Sequence, residues 1–467
     1  WLHGALFAFL ALAGLGPAKE MVTLSLLGPA LACHFGVPAG FEGLLQVAAF
    51  GGSLLSAPFY GYLADCAGRK PAIAVACLAV ALPSAATALA PSFSSAVVLR
   101  FLVGLGLPFD PVMFTYYLEF LPGGHRGSQI VALTIVWMSG LALESALAWA
   151  AFTLTHDWRA FALASAAPAV LAALLVPLLP ESPFFLESKG KDAKAHRVLS
   201  QMARAARKPP PPQPTAPPRG DAVPERGEEG PGCCASSVGL PLLGCCEVSR
   251  SLCSRAGRAL KTVGFTLFTA ALAAATIGLV EISVLLHAAT TSHPASLLTP
   301  TPVDQAISPH PSSLNHPVSF NPAGSASLCS PSGGLTLGPL GWPQLLLTNF
   351  SGMSGVLLAC VVIDCLGRRA SLGVMLAFGA LSSTAMLVPG LSLPGATALL
   401  SLARTAAHGG YPILAVFVGD LYAGHLRGAG ESLAETTTSL AYMLAPLGVD
   451  ALATRVGLAA AGAGIAA

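Results

Sequence analysis

Charge is what this sequence has least of. Only 10% of the 467 residues are Asp, Glu, Lys or Arg, whereas 54% are apolar, and a soluble domain needs roughly a quarter charged residues to wet its surface. Its formal net charge of +2 lacks the basic excess that nucleic acid demands, so no nucleic-acid partner is expected. A phosphate-cradling GxxxxGK[ST] loop and an HExxH pair are also absent, which excludes P-loop nucleotide hydrolysis and HExxH-type zinc hydrolysis. We expect no enzyme activity, no metal and no cofactor. Energy for any work would then come from solute gradients, with proton coupling as one option.

What is present is a series of apolar runs about as long as a helix needs to cross roughly 30 Å of hydrocarbon. They fall near 2–32, 44–64, 71–90, 95–120, 128–152 and 160–179, then 259–287, 343–364, 371–391, 394–420 and 430–451. Gly and Pro recur inside them, as membrane helices tolerate. The chain opens at Trp1 without a methionine, and its first run continues to Ala32 with no small-residue cleavage site. That run reads as a spanning helix, not a signal peptide. A twelfth run beginning near Gly457 stops at Ala467, and with the missing initiator it suggests a fragment or a trimmed gene model.

Orientation follows from the basic residues, which accumulate on the cytoplasmic side. The segment 181–261 contains thirteen of the 24 Lys and Arg, and the next basic residue is Arg368. Three regions are expected: an N-terminal six-helix half over 1–186, a cytosolic linker over 187–258, and a C-terminal half over 259–467 with an extracytoplasmic loop at 288–342. The termini are cytosolic if the twelfth helix is complete. Within the linker, 187–207 reads as an amphipathic helix, and the Pro- and Gly-rich stretch from Pro209 to Gly232 as disordered. The pairs Cys233-Cys234 and Cys245-Cys246 have no histidine at ligand spacing, so inert or lipid-facing thiols are expected rather than a metal site.

The two halves echo each other. GYLADCAGRK supplies Asp65, Gly68, Arg69 and Lys70, and VVIDCLGRRA supplies Asp364, Gly367, Arg368 and Arg369. Arg100, Glu119 and Arg126 are echoed by Arg404, Asp420 and Arg427, with an acid-to-Arg spacing of seven both times. Parallel repeats across a central cleft are the expected consequence. Charges at the cytoplasmic ends of helices should pair with one another. On that basis all fourteen form an expected gating network, with Asp65 near Arg126, and Glu119 and Arg100 nearby; a simple turn-forming role for Gly68 and Gly367 is the alternative.

Gly61, Asp65, Gly68, Arg69 and Lys70 resemble the signature loop of the major facilitator superfamily. PESPFFL at Pro180–Leu186 resembles the motif ending the first half of its sugar and organic-ion porters. Glu20–Pro29, Arg100–Gly106, Phe114–Pro122, Trp137–Glu144 and Asp157–Pro168 are similar to the synaptic-vesicle-two-related and organic cation/carnitine transporter-like branch. The resemblance implies an all-α membrane protein of two six-helix halves related by a pseudo-two-fold axis, the last helix short here. It also implies alternating-access carriage of a small organic solute, an organic cation or a small carboxylate. A non-transporting receptor or scaffold with the same fold is the second reading. A sugar porter ranks lower, since glutamine is scarce inside the spans. The expected partners are a small-molecule substrate and the lipid bilayer, and a monomer is expected; plasma membrane and vesicle are not distinguished.

The chain departs from the branch at Pro17, at Lys19 beside Glu20, at Phe184, and at Leu107-Pro108-Phe109-Asp110, which should kink the fourth helix. Ionisable groups inside spans are functional candidates because burying one costs at least roughly 2.5–3.5 kcal/mol. Lys19, Glu20, Asp110, Glu144 and His408 meet that test, with Trp137 and Tyr411 as aromatic neighbours. Glu20 and Glu144 lead as cation counter-charges or proton acceptors. A local ion pair such as Lys19 with Glu20 is the plainer reading. Glu281 is expected near the membrane interface.

Overall fold

The computed structural model describes residues 2–37, 41–121, 126–205, 341–385, 393–421 and 434–445, and among them there is no strand. The first half comprises α1 (Leu2–Phe35), α2 (Leu44–Cys66), α3 (Arg69–Thr87), α4 (Phe93–Gly104), α5 (Asp110–Phe120), α6 (Arg126–Leu154) and α7 (Trp158–Leu175). Two short helices follow, α8 (Pro183–Ser188) and α9 (Asp192–Ala205). From the second half come α10 (Gly341–Leu366), α11 (Arg368–Ala385), α12 (Leu393–Leu421) and α13, residues 434–445. The expected helix 259–287, the linker segment expected to be disordered, most of the expected outer loop, and the twelfth run lie outside the described residues.

Local chemistry sets several helix ends. Ser92 and Ser95 form a capping box at the start of α4, and the Asp157 carboxylate accepts from the Arg159 N–H at the start of α7; each satisfies a backbone donor the helix cannot. The α2–α3 and α10–α11 turns each contain a glycine with positive φ, Gly68 at 115° and Gly367 at 77°. An L side chain is strained there. The same turn at the same place in both halves gives the sequence repeat a structural counterpart.

Helix packing repeats too. A Cβ on Gly104 of α4 would lie 1.8 Å from the Ala49 carbonyl oxygen of α2, and one on Gly355 of α10 would lie 2.1 Å from the Thr405 carbonyl oxygen of α12. In each half these two helices approach backbone to backbone, which glycine alone permits. Such small-residue seams suit membrane helices, whose association rests on close van der Waals contact. The outward faces are apolar: Leu89, Leu154 and Leu178 are each about four-fifths exposed. In water that would be an aggregation hazard, whereas here it is the lipid-facing surface.

The fourth span differs from a single helix over 95–120. The chain leaves helical geometry after Gly104 and re-enters at Asp110. Pro108 has no N–H to continue the ladder and Pro111 sits in the first turn of α5, so the break falls at Leu107-Pro108-Phe109. Asp110 is thereby placed at a helix N-terminus in the middle of the bundle, where the positive end of the helix dipole favours a carboxylate.

The halves meet along α2 with α13 and α6 with α10. Ser53 and Ser439 hydroxyls lie 2.9 Å apart, and the rings of Phe50 and Tyr442 lie 5.0 Å apart. The Asn349 amide donates to Ser145, and Phe152 stacks on Trp342 at 5.8 Å. If 181–261 is cytoplasmic, as its basic residues lead one to expect, the α6–α10 contacts lie in the outer halves of their helices and the α2–α13 contacts near mid-helix.

Candidate functional site

Three groups of polar residues stand out, at three depths. The deepest is buried inside the first half. Lys19, Glu20 and Glu144 have no exposed surface and Arg100 has 1%. An Arg100 guanidinium N–H donates to Glu20 Oε1, and Lys19 Nζ lies 3.7 Å from Glu20 Oε2 while donating to Ser165 Oγ at 2.9 Å. Thr23 Oγ1 lies 2.7 Å from Glu144 Oε1, donating to it, and 3.1 Å from Ser165 Oγ. The cluster thus joins α1, α4, α6 and α7. It includes Glu20, Glu144 and Lys19, but at zero exposure none of them lines an open cleft. The plainer expectation, a Lys19–Glu20 ion pair, matches this geometry, with Arg100 added.

Arg100 was grouped by its repeat with the cytoplasmic charges, and the structure places it elsewhere. It sits in α4, ahead of the break at Leu107-Pro108-Phe109, buried on Glu20. Arg404, its echo, is likewise fully buried. His408 is 2% exposed and packs beside Gly352, where a Cβ would meet its ring at 2.8 Å.

The second group surrounds the N-terminus of α3 and the Pro180–Leu186 motif. Glu181 Oε1 accepts from the backbone N–H groups of Arg69 (3.0 Å), Lys70 (3.2 Å) and Ser182 (2.9 Å). The carboxylate therefore closes the N-terminus of α3, combining dipole and hydrogen-bond stabilisation. Arg69 Nη2 lies 3.3 Å from Glu119 Oε1, and its guanidinium covers the Phe185 ring at 5.3 Å. Lys70 Nζ donates to the Pro177 carbonyl at 2.8 Å, and Tyr116 OH to the Pro180 carbonyl at 2.6 Å. These contacts tie α3 and α5 to the Pro180–Leu186 motif. Asp65 is mostly exposed and lies 3.7 Å from Arg69, one turn along, a solvent-screened pair worth little. The sequence expectation had Asp65 facing Arg126; the side chains of Arg126, Asp364, Arg368 and Asp420, and all of Arg427, lie outside the described residues. Arg369 is exposed. Glu181 was not among the sequence candidates, although an acid in the PES motif is a ready partner for the free N–H groups of a helix that starts after Gly68.

The third group lies between the halves. Trp137 Nε1 of α6 donates to Asp110 Oδ2 at 3.1 Å, while Asp110 Oδ1 has no hydrogen-bond partner. From the other half, the Tyr411 and Tyr442 hydroxyls lie 2.8 Å apart, and Glu435 of α13 lies within electrostatic reach of both Asp110 and Tyr411. Two carboxylates and three aromatic residues thus converge from both repeats. Asp110, Trp137 and Tyr411 were sequence candidates; the structure hydrogen-bonds Trp137 to Asp110 and Tyr411 to Tyr442. Glu435 was overlooked, although it is an acid within the apolar run 430–451 and meets the same criterion as Glu20. Among the described residues no group of three or more His, Cys, Asp or Glu has metal-ligand geometry.

Comparison with known proteins agrees with this architecture. Residues 41–216 match the family model described as sugar (and other) transporter. The chain is 33% identical over 198 residues to organic cation/carnitine transporter 7 of Arabidopsis thaliana, covering 42% of this chain and 39% of that protein. It is 34% identical over 193 residues to the synaptic vesicle 2-related protein of Bos taurus, covering 41% and 35% respectively. The chain thus spans less than half the length of the curated relatives it matches. Among solved structures, the partially occluded inward-open xylose transporter from E. coli aligns with a TM-score of 0.63 at 15% identity, covering 99% of this chain and 96% of that one. The fold is therefore that of the major facilitator superfamily, in a multi-pass membrane protein. Over the aligned residues, the sequence likeness is to the synaptic-vesicle-two-related and organic cation/carnitine branch, as the motifs of the first half implied.

Proposed function

We propose that this protein carries a small organic cation across a membrane by alternating access, with the substrate held between the halves by Asp110 and Glu435 and flanked by Trp137, Tyr411 and Tyr442. The observation that carries this reading is the convergence of two acids and three aromatic residues from opposite repeats. A carboxylate pair repels itself and any anion, which disfavours a carboxylate substrate. It attracts a cation, and aromatic faces add attraction for quaternary or protonated amines. The names of the organic cation/carnitine relatives support the same class. The Phe152–Trp342 contact supports a conformation closed to the outside, in keeping with the inward-open title of the xylose transporter.

Uptake of labelled tetraethylammonium into proteoliposomes, beside nicotinate and a hexose, tests the reading. Saturable uptake of the cation alone, with loss in Asp110→Asn, is the expected result. Uptake of the hexose or nicotinate would redirect the substrate class, and no uptake of any solute by folded protein would favour the receptor or scaffold reading.

A further inference from the structure

Tyr442 of α13 links the cleft to the seam between the halves. Its hydroxyl lies 2.8 Å from that of Tyr411 on α12, and its ring centroid lies 5.0 Å from that of Phe50 on α2, in the other half. Burial deepens along this line: Tyr411 is half-buried, whereas Tyr442 and Phe50 are 6% and 4% exposed. Beside the rings, the Ser53 and Ser439 hydroxyls lie 2.9 Å apart, and a Cβ on Gly51 would lie 3.8 Å from Met443 Sδ. Phe50 and Ser53 are three residues apart on α2, as are Ser439 and Tyr442 on α13, so both contacts fall on one face of each helix. Of these two contacts, the ring pair continues into the cleft.

We propose that Phe50 is a positioning residue for the cleft: by holding the Tyr442 ring it fixes Tyr411, so that the cation site is complete only while α2 and α13 are joined. For its cation arm this rests on the carrier reading above. Packing of the two rings adds attraction beyond the area they bury, and it holds the Tyr442 hydroxyl where it bonds Tyr411. When α13 leaves α2, the Tyr442 ring loses that support and is free to turn from Tyr411. Thr438, one turn earlier on α13, also hydrogen-bonds Tyr411, so Tyr411 follows α13. Pro412, the next residue, has no N–H to stiffen α12 at this point. Linkage then gives the direction of the coupling. If joining the helices completes the site, a bound cation favours the joined state by the same factor.

Cross-linking tests this with the whole chain in lipid vesicles. In Ser53→Cys/Ser439→Cys, brief oxidation with copper phenanthroline bonds the two thiols while the seam is joined. Mass spectrometry of the linked peptide gives that rate apart from the native cysteines. Saturating tetraethylammonium should raise the rate about two- to fivefold, the contribution of a cation on an aromatic face at a partly exposed site. Adding Phe50→Ala should lower the rate without the cation and remove the acceleration. Phe50→Leu, which refills much of the volume without a ring, should do the same and serves if the alanine variant does not fold. Adding Tyr442→Phe, which keeps the ring and loses the hydroxyl, should leave less than about half of the acceleration. A purely structural Phe50 would change the rate equally with and without the cation. Acceleration that survives the Phe50 substitution therefore overturns the proposal, as does an unaccelerated cysteine pair when native vesicles take up tetraethylammonium. Native vesicles that take up none refute the carrier reading instead, and the cation-free rate then judges Phe50: a rate unchanged by its substitution overturns the positioning role.

Discussion

Replacing Arg100 by Gln removes the hydrogen-bonded partner of a carboxylate with no exposed surface. Breaking one side of a buried ion pair costs about 3–5 kcal/mol because the other charge stays behind uncompensated. Here Lys19 remains 3.7 Å away, which places the loss near the lower end, about 3 kcal/mol, or roughly 150-fold in the folded-to-unfolded ratio. The double variant Arg100→Gln/Glu20→Gln removes both charges and leaves Lys19 facing Glu144, so that half of the cluster stays balanced. It should recover most of the loss, to within about 1 kcal/mol of the native protein, and the difference between the variants measures the coupling. Denaturant unfolding in detergent, followed by tryptophan fluorescence, reads both. A single substitution losing less than about 1 kcal/mol, or a double variant no more stable than the single, would refute the charge-balance reasoning.

Other consequences concern the seams and the cleft. Gly104→Ala pushes a methyl group to within 1.8 Å of the Ala49 carbonyl, so α2 and α4 must separate at a cost of at least about 1–3 kcal/mol. Gly61→Ala, where nothing lies within 4 Å, should change stability by less than about 0.5 kcal/mol in the same denaturant-unfolding assay. Glu181→Ala orphans three backbone N–H groups at a half-buried site; a loss of about 1–2 kcal/mol is expected, and Glu181→Gln, which keeps an acceptor, should retain about half of it. Trp137→Phe keeps the ring but loses the donor to Asp110; tetraethylammonium uptake should persist with a weakened apparent affinity, read from the concentration dependence of initial rates.

Charge scarcity and run length made the spans legible, and two features at residue level followed as well. Gly68 and Gly367 turn where the repeated motif places them, because only a positive φ lets two adjacent helices fold back so tightly. The Pro108 segment breaks the fourth span as proline chemistry requires. Arg100 was misplaced because a repeat gives a position along the chain and not a depth. Counting from Phe120 at 1.5 Å per residue puts Arg100 roughly 30 Å of helix away from the cytoplasmic end, which would have separated it from Asp65 and Glu119. Glu20 and Glu144 stood out as lone acids, yet their partners come from helices 80 and 121 residues distant in sequence. No local pattern shows that Arg100 and Thr23 satisfy them. Glu435 was readable by the same criterion as the other acids, but its relation to Asp110 exists only once both halves are assembled.

On the proposed mechanism, Asp110 and Glu435 hold a cation while the halves alternate. The most direct measurement is exchange in proteoliposomes: entry of labelled tetraethylammonium with and without unlabelled tetraethylammonium preloaded inside, for the native protein, Asp110→Asn and Glu435→Gln. Alternating access predicts that preloading accelerates entry into native vesicles and that either substitution abolishes the acceleration. Entry indifferent to preloading, or acceleration that survives both substitutions, would contradict it.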